Sequence, residues 1–385
     1  MNADCVRKAG RTRRENAFRG LTSPAQFEER RSSAPLPAAL GIVEVGKYNE
    51  PMARDAAQLI HITPEQDQVP LGTALKRLLT DKSWSQVRRM LETRHVQVNG
   101  NLCIDEKRRL NAGDVVKVHP HPLAPPPKQD DIKVRFLDKH VIVVEKPSGM
   151  TTLRHNEERT WPKKRKDIAP TLDEVLPRVI ARLEKTPTRP EKDRRFPHGR
   201  RPSLPQVRAV HRLDRDTSGL MIFARTIQAE RHLVEQFRKH TVLRSYLAIV
   251  VGHPEAQKIE SQLVRDRGDG RRGSSTEGKD GQRAVTHIRP VETLGDYAMI
   301  ECRLETGRTH QIRIHLSELG HYLCGDKVYV SPLFQPAHID RSGAPRLALH
   351  AQELGFVHPI TGQKLHFTMP MPPDLQAFLD RLRGK

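Results

Sequence analysis

Hydrophobic positions recur at helical spacing where the chain first becomes patterned, just after residue 70. Two stripes follow one another there, formed by Leu71, Leu75, Leu78 and Leu79 and then by Val87, Met90 and Leu91. Spacings of three and four residues place such side chains on one face of a helix. Ser83 with Gln86 three residues later is a capping-box pair, which predicts that the second helix begins at this point.

Beyond the second helix the pattern changes to alternation. The dipeptide Asn99-Gly100 favours a tight type I′ turn between antiparallel strands, and it is flanked by two apolar pairs, Val96 and Val98 before it and Leu102 and Ile104 after it. A further turn over residues 111–114 leads into Val115, Val116 and Val118. Residues 70–118 are therefore predicted to form a small module, with two helices and a hairpin-rich sheet.

Composition sets the limits of this module. Residues 119–131 begin with His-Pro-His-Pro-Leu-Ala-Pro-Pro-Pro, which favours stiff, extended backbone and marks a linker. Residues 1–69 show no sustained period and mix charge with proline, so we expect a basic, disordered arm. The larger domain is then predicted over residues 132–385, with a basic insertion at 184–208.

The larger domain alternates predicted strands and helices. Strands are predicted at Ile132–Phe136, Val141–Val144, Leu220–Ala224, Ser245–Val251 and Ala298–Leu304, the last of them because its apolar residues alternate with charged ones. Thr171 with Glu174 predicts the start of a helix, and residues 226–240 predict another. Pro177 falls inside the first helical pattern and leaves open whether that helix is continuous.

Charge indicates the kind of partner. The chain has 385 residues and a formal net charge of +20, and lysine and arginine bind nucleic-acid phosphate without regard to sequence. We therefore expect an RNA partner. No apolar run is long enough for a membrane-spanning helix. The four cysteines form no C-x-x-C pair, which argues against a zinc knuckle or a disulfide framework and suits a reducing cytoplasm.

Candidate chemistry is concentrated in His211–Leu220, where Asp214 lies between Arg212 and Arg215, just before a predicted buried strand. Neighbouring cations favour the ionised carboxylate, which can then act as a nucleophile or a base. Taken alone, the segment is equally compatible with a surface turn whose ion pairs are solvated.

A second cluster, Glu305–His315, contains Arg308, His310, Arg313 and His315. The two histidines are five residues apart and share no face of a strand or helix, which argues against a metal site. A hydrolase triad of His211, Asp214 and Ser218 would crowd into eight residues with little freedom to align, and no G-x-S-x-G turn is present.

Several motifs occur in an order typical of one family. They are Lys146–Gly149, His211–Gly219, Tyr246, Thr306–Arg313, Leu349–Ala351 and His358-Pro359. Residues 132–378 thereby resemble the RluA-type family of RNA pseudouridine synthases, and residues 70–118 resemble the S4 RNA-binding domain that often accompanies it. The resemblance implies an α+β fold with a mixed, largely antiparallel central sheet, preceded by a small S4 domain of the α-L type.

The resemblance also implies roles for residues. A uridine in RNA would become pseudouridine without cofactor or metal, with Asp214 as the catalytic acid and Arg313 as its ion-pair partner. Tyr246 would stack on the target base, and Arg212 would enter the RNA and hold the flipped state. Arg308, His310, Arg88 and Arg89 would contact the RNA. The route of Asp214, through attack on C1′ or through a glycal, stays open.

The expected substrate is structured RNA, above all large-subunit ribosomal RNA or a pre-ribosomal particle, modified by a cytoplasmic monomer that contacts no membrane. One alternative is a synthase that acts on tRNA. Another is a non-catalytic RNA-binding or ribosome-assembly factor that retains the fold. Arg244 stands where the family usually has lysine, and the segment between Gly149 and His211 is longer than usual, which leaves the choice of substrate open.

Overall fold

Two β-sheets organise the part of the chain that is described in this computed structural model. The described residues are 58–99, 101–154, 158–185, 204–267, 271–275, 281–331 and 338–384. All of them belong to one compact unit, Ala53–Lys385. Most of the predicted arm and of the predicted insertion at 184–208 lies outside the described residues.

The smaller sheet belongs to the small module. Its strands are β1 (Gln58–His61), β2 (Val96–Val98), β3 (Asn101–Leu102) and β4 (Val115–Val118), in the antiparallel order β1-β4-β2-β3. Helices α1 (Leu71–Leu78) and α2 (Trp84–Glu92) complete a separate hydrophobic core. The capping box is confirmed, because Ser83 N donates to Gln86 Oε1 at 2.7 Å and Gln86 N donates to Ser83 Oγ at 3.2 Å.

The sheet of the small module also includes residues that precede the predicted start at residue 70. Strand β1 pairs with β4, Ile60 and Ile62 are buried, and Ile62 N donates to Asp114 O at 2.9 Å. The ordered module therefore spans residues 58–118. A four-residue edge strand is too short to show a period, and its stability comes from pairing with β4, which no local pattern reveals.

The larger sheet contains β5 (Lys133–Leu137), β6 (Val141–Lys146), β7 (Arg208–Ala209), β8 (Ser218–Ala224), β9 (Leu243–Val251), β10 (Gln257–Val264), β11 (Gly273–Ser274), β12 (Gln282–Leu294), β13 (Tyr297–Leu304), β14 (Leu349–Val357) and β15 (Lys364–Thr368). Its order is β11-β10-β12-β13-β9-β14-β8-β6-β5, with β15 on β14 and β7 on β8. Among the strands described, β14 and β8 run parallel and the other pairs are antiparallel. The predicted α+β fold with a mixed, largely antiparallel sheet is confirmed.

The remaining helices are α3 (Lys163–Lys166), α4 (Leu172–Leu183), α5 (Ile227–Arg238), α6 (Gln311–Glu318) and α7 (Pro373–Leu382). Helix α4 is continuous through Pro177 and packs against one face of β6 and β8, while α5 packs against the other. Burial on both faces explains why these strands read as unbroken apolar runs. No helix in the described ranges is long and apolar enough to cross a membrane.

The parallel contact between β8 and β14 is unusually close at Gly219. Its φ of 131° lies in the region that favours glycine, and a Cβ there would lie 2.3 Å from Ala351 O and 2.6 Å from Ala351 N. Gly219 is the second residue of β8, five residues after Asp214. The absence of a side chain at this position therefore sets how the segment that carries Asp214, residues 211–217, enters the sheet.

We expect Gly219→Ala to lower the free energy of unfolding by about 3 kcal/mol or more, because a backbone clash adds to the strain of a positive φ. Gly295→Ala is the matched control: its φ is 61° but nothing lies within 4 Å of an added Cβ, so a loss of about 1–2 kcal/mol is expected. Urea denaturation of the full chain measures both. Equal losses would contradict the proposed close approach.

Candidate active site

The segment that carries Asp214 is held by Lys146, the last residue of β6, and by the residues that follow it. The fully buried ammonium of Lys146 donates to Arg215 O at 2.9 Å, and Gly149 N donates to the same oxygen at 2.8 Å. Thr152 Oγ1 donates to Leu213 O at 2.7 Å. Burial lowers the pKa of Lys146 to about 7. These bonds fix the backbone on both sides of Asp214.

The Asp214 carboxylate lies beside the guanidinium of Arg313 and the imidazole of His310. Its Oδ2 lies 3.6 Å from Arg313 Nη1 and its Oδ1 lies 3.8 Å from His310 Nε2, with 16% of the side chain exposed. Burial works to raise the pKa of Asp214, but the attraction of Arg313 and Arg212, together with that of His310 in its protonated form, outweighs it, and the pKa falls below its usual 3.8. Asp214 is therefore an anion at neutral pH.

Arg313 makes its hydrogen bonds to another acid. Its Nε and Nη2 donate to Asp326 Oδ2 and Oδ1, both at 2.7 Å, and its guanidinium lies 4.9 Å from the ring centre of Tyr329. Asp326 is almost fully buried and also accepts the backbone N–H groups of Val328 and Tyr329. Asp214 is thus within ion-pair distance of Arg313, while the bidentate partner is Asp326, which the sequence analysis missed. No spacing in the sequence links residues 313 and 326.

A hydrogen-bonded turn positions His310. Gln311 Oε1 accepts from Thr306 Oγ1 at 2.8 Å and from Arg308 N at 3.0 Å, and its Nε2 donates to Val285 O at 2.9 Å. His310 adopts a left-handed φ of 60° just before α6. Its Nδ1 lies 2.7 Å from the hydroxyl of Tyr329, and burial lowers its pKa to about 4. The imidazole is therefore neutral at neutral pH.

Tyr246 projects from β9, opposite Cys302 of β13 and Ala351 of β14. The ring is buried, with 7% of the residue exposed, and burial raises the pKa of its phenol above the usual value. The hydroxyl therefore keeps its proton at neutral pH. Within the described ranges no hydrogen-bond partner contacts that hydroxyl, although the residue lines the same cavity as Asp214.

That cavity has a volume of about 640 Å³ and brings together most of the predicted residues: Arg212, Asp214, Tyr246, Arg308, His310 and Arg313. Arg244 also lines it, and the Nε of Arg244 is buried with no partner in the described part of the chain. Arg88 and Arg89 do not line it, since they lie exposed on α2.

A somewhat larger cavity, of about 680 Å³, lies behind the Asp214 segment. Linker prolines, Lys146 and Arg215 line it, and Arg313 contributes to both cavities. It contains neither Asp214 nor Tyr246. The cavity with the ionised acid and the aromatic ring is therefore the candidate active site.

The described residues form neither the hydrolase triad nor the metal site that the sequence raised as alternatives. Ser218 Oγ lies 3.0 Å from His350 Nδ1, whereas His211 Nε2 accepts from Ile222 N at 3.1 Å and its ring stacks on Phe237. Because Ser218 and His211 each have another partner, they do not form a triad with Asp214. Among the described residues no group of three or more His, Cys, Asp or Glu side chains is arranged to hold a metal ion.

Comparison with known proteins identifies the family. Residues 140–318 match the family described as RNA pseudouridylate synthase. Ribosomal large subunit pseudouridine synthase D of Zymomonas mobilis is 33% identical over 331 residues, which are 84% of this chain and 96% of that protein. The Nitrosomonas europaea protein of the same name is 33% identical over 326 residues, 82% of this chain and 84% of that protein.

Among solved structures, human RNA pseudouridylate synthase domain containing 4 is 23% identical, with a TM-score of 0.48 over 65% of this chain and 92% of that one. The sequence matches are far more extensive, since a third of the residues are identical along nearly the whole Zymomonas protein. The range matched by the family includes both Asp214 and Arg313. The chain belongs to the RNA pseudouridylate synthase family and is an RluA-type isomerase that acts on RNA.

Proposed function

We propose that this enzyme converts specific uridines of large-subunit ribosomal RNA to pseudouridine, with Asp214 as the catalytic acid. One observation carries the proposal: an ionised, partly buried carboxylate shares a cavity with Tyr246 and with the cation of Arg313. The choice of ribosomal RNA is supported by the names of the similar proteins of Zymomonas mobilis and Nitrosomonas europaea, which are ribosomal large subunit pseudouridine synthases.

The reaction is an isomerisation that needs no external reagent. The N1–C1′ bond breaks, the uracil turns, C5 bonds to C1′, and the proton lost from C5 balances the proton gained at N1. The Asp214 anion is suited either to trap an electron-poor C1′ or to remove a ribose proton on a glycal route. Both routes use the ionised carboxylate, and neither calls for a cofactor.

We assign the neighbouring residues supporting roles. Arg313 keeps a positive charge 3.6 Å from Asp214, and the bidentate bond to Asp326 fixes the direction of its guanidinium. Tyr246 offers a ring face to the uracil, and its hydroxyl is suited to assist removal of the C5 proton. Arg212 is exposed at the cavity, where it can enter the RNA and hold a flipped base.

The small module is proposed to be an S4 RNA-binding domain spanning residues 58–118. Its two helices, its hairpin sheet and the exposed cations Arg88 and Arg89 on α2 support this assignment. Arg308 and His310 are proposed to contact RNA at the cavity. We further propose a cytoplasmic monomer that acts on ribosomal RNA or a pre-ribosomal particle.

Two alternatives use the same fold. A synthase that modifies tRNA would have the same cavity, and the identity of the modified RNA distinguishes it. A non-catalytic assembly factor would have no chemical need for Asp214, Tyr246 and Arg313 together, and their shared cavity disfavours it.

Asp214→Asn is expected to lower the rate of pseudouridine formation about 10⁴-fold or more, because the amide can neither attack C1′ nor remove a proton. RNA affinity should be unchanged. Carbodiimide-blocked primer extension on large-subunit RNA, from cells with the wild-type or the variant gene, locates the modified uridines. Wild-type turnover of purified Asp214→Asn would refute the assignment.

The acid limb of the pH–rate profile is expected to depend on Arg313. In the wild type the cations keep the pKa of Asp214 below 3.8, so kcat/KM should stay flat as the pH falls from 6 to 5, below the pKa of about 7 of Lys146. The double variant Arg313→Gln with Asp326→Asn removes both members of the buried pair. Burial then raises the pKa of Asp214, and activity should fall towards pH 5.

Arg308→Gln is the control. Arg308 donates to Arg283 O, and its replacement should leave the pH–rate profile flat. A flat profile in the double variant would exclude this role.

Asp326→Asn alone should lower kcat about 10- to 100-fold and leave KM for RNA unchanged, because Arg313 loses its charged bidentate partner while an amide oxygen can still accept the backbone N–H groups. Asp374→Asn is the matched control: it breaks a similar bidentate pair, with Arg346, outside the Asp214 cavity. Single-turnover kinetics measure both variants. Equal losses in the two would point to a general effect on stability instead.

A further inference from the structure

Trp84 is an exposed indole at the start of α2. About 52% of its surface is open to solvent. In the described ranges no ring stacking, cation–π contact or hydrogen bond involves its side chain. By contrast, the chain's other tryptophan, Trp161, has the guanidinium of Arg154 at 5.7 Å from its ring centre. A large aromatic ring left open in this way is typical of a binding surface.

Asp81, three residues before Trp84, is paired with Lys82 at 2.7 Å, and two arginines follow Trp84 on α2. Arg88 lies one helical turn further along the same face, with 59% of its side chain exposed, and its Nε donates to Glu106 at 3.0 Å. Arg89 is exposed, and the described residues include no acidic partner for its side chain. The first turn of α2 contains no acidic residue. An anionic partner is therefore favoured beside the ring.

The neighbours of Trp84 also argue against a protein or membrane partner. Ser83, Ser85 and Gln86 are all exposed and polar, so the indole does not belong to a continuous apolar patch of the kind that such partners cover. A single flat ring between polar groups and cations is instead complementary to an unpaired nucleotide. Its base can stack on the indole while the adjacent phosphates face the arginines.

We propose that Trp84 is a stacking platform for an unpaired base of the RNA substrate, outside the catalytic cavity. This inference rests on the proposed function only in taking RNA as the partner. Because Trp84 does not line the cavity of Asp214, the contact contributes to affinity and not to the chemical step.

Fluorescence tests the contact directly. In a Trp161→Phe background Trp84 is the remaining indole, and titration with a large-subunit RNA fragment should quench its emission as the complex forms. Heparin, a polyanion without bases, should bind and leave the emission unquenched. Quenching by heparin to the same extent, or no quenching by saturating RNA, would overturn the proposal. So would a blue-shifted emission in the free protein, because it would mean that Trp84 is already covered by another part of the chain or by a second copy.

Substitution tests the contribution to binding. Trp84→Ala should raise Kd for RNA about 5- to 140-fold, the 1–3 kcal/mol of one stacked base converted at 1.4 kcal/mol per tenfold, with kcat at saturating RNA unchanged. Trp84→Phe should retain most of the affinity. Leu59→Ala is the control, since it removes a side chain of the small module that is 56% exposed, and it should have little effect. An equal loss in Leu59→Ala would contradict a specific stacking role.

The stacking proposal and the proposed activity can be refuted independently of each other. If the wild-type enzyme forms pseudouridine but Trp84 is not quenched by the same RNA, the stacking proposal is wrong and the proposed activity stands. If RNA quenches Trp84 but no uridine is modified, the proposed activity on that RNA is wrong and the stacking surface stands.

Discussion

The cost of keeping a carboxylate charged inside the protein governs this site. Asp214 is largely withdrawn from water, and a buried anion is stable only beside compensating charge. Arg313 supplies that charge, but its own guanidinium is buried and needs a partner in turn. Asp326 satisfies it with two hydrogen bonds and is itself held by backbone N–H groups. Because the cation is already paired, it attracts Asp214 without forming the short bond that would occupy the carboxylate oxygens. The proposed catalyst is thus kept ionised and available.

The backbone around Asp214 is also held in a defined position. The Asp214 segment enters the sheet through β8, whose two faces are covered by α4 and α5 and whose parallel neighbour is β14. Lys146 at the end of β6 and Thr152 beyond it bind carbonyl groups of this segment, and Gly219 allows the close approach to β14. Rigid elements therefore surround a short irregular segment, which is the usual way to present a reactive side chain on a loop without losing its geometry.

Local signals predicted the elements that local physics creates. The capping box at Ser83 and Gln86 needs only residues three apart, and the unbroken apolar run of β8 reflects burial on both faces. Strands β10 and β12 were not predicted. In β12 a register shift falls between Pro290 and Glu292, and many of its side chains are exposed, so that neither alternation nor an apolar run is visible. Strand β1 was missed because its order comes from pairing with β4.

The sequence by itself determined the chemistry that is available: an acid between arginines, an aromatic ring on a buried strand, a second basic cluster and a strongly positive chain. Their order along the chain was enough to indicate the family. Only the tertiary structure decided which groups meet. It gave Arg313 the bidentate partner Asp326, paired Ser218 with His350, and left Arg88 and Arg89 outside the cavity. The reason is that the interaction between two charges in a cavity depends on the distance between them. Strand order and loop path set that distance, and the spacing of residues along the sequence does not determine it.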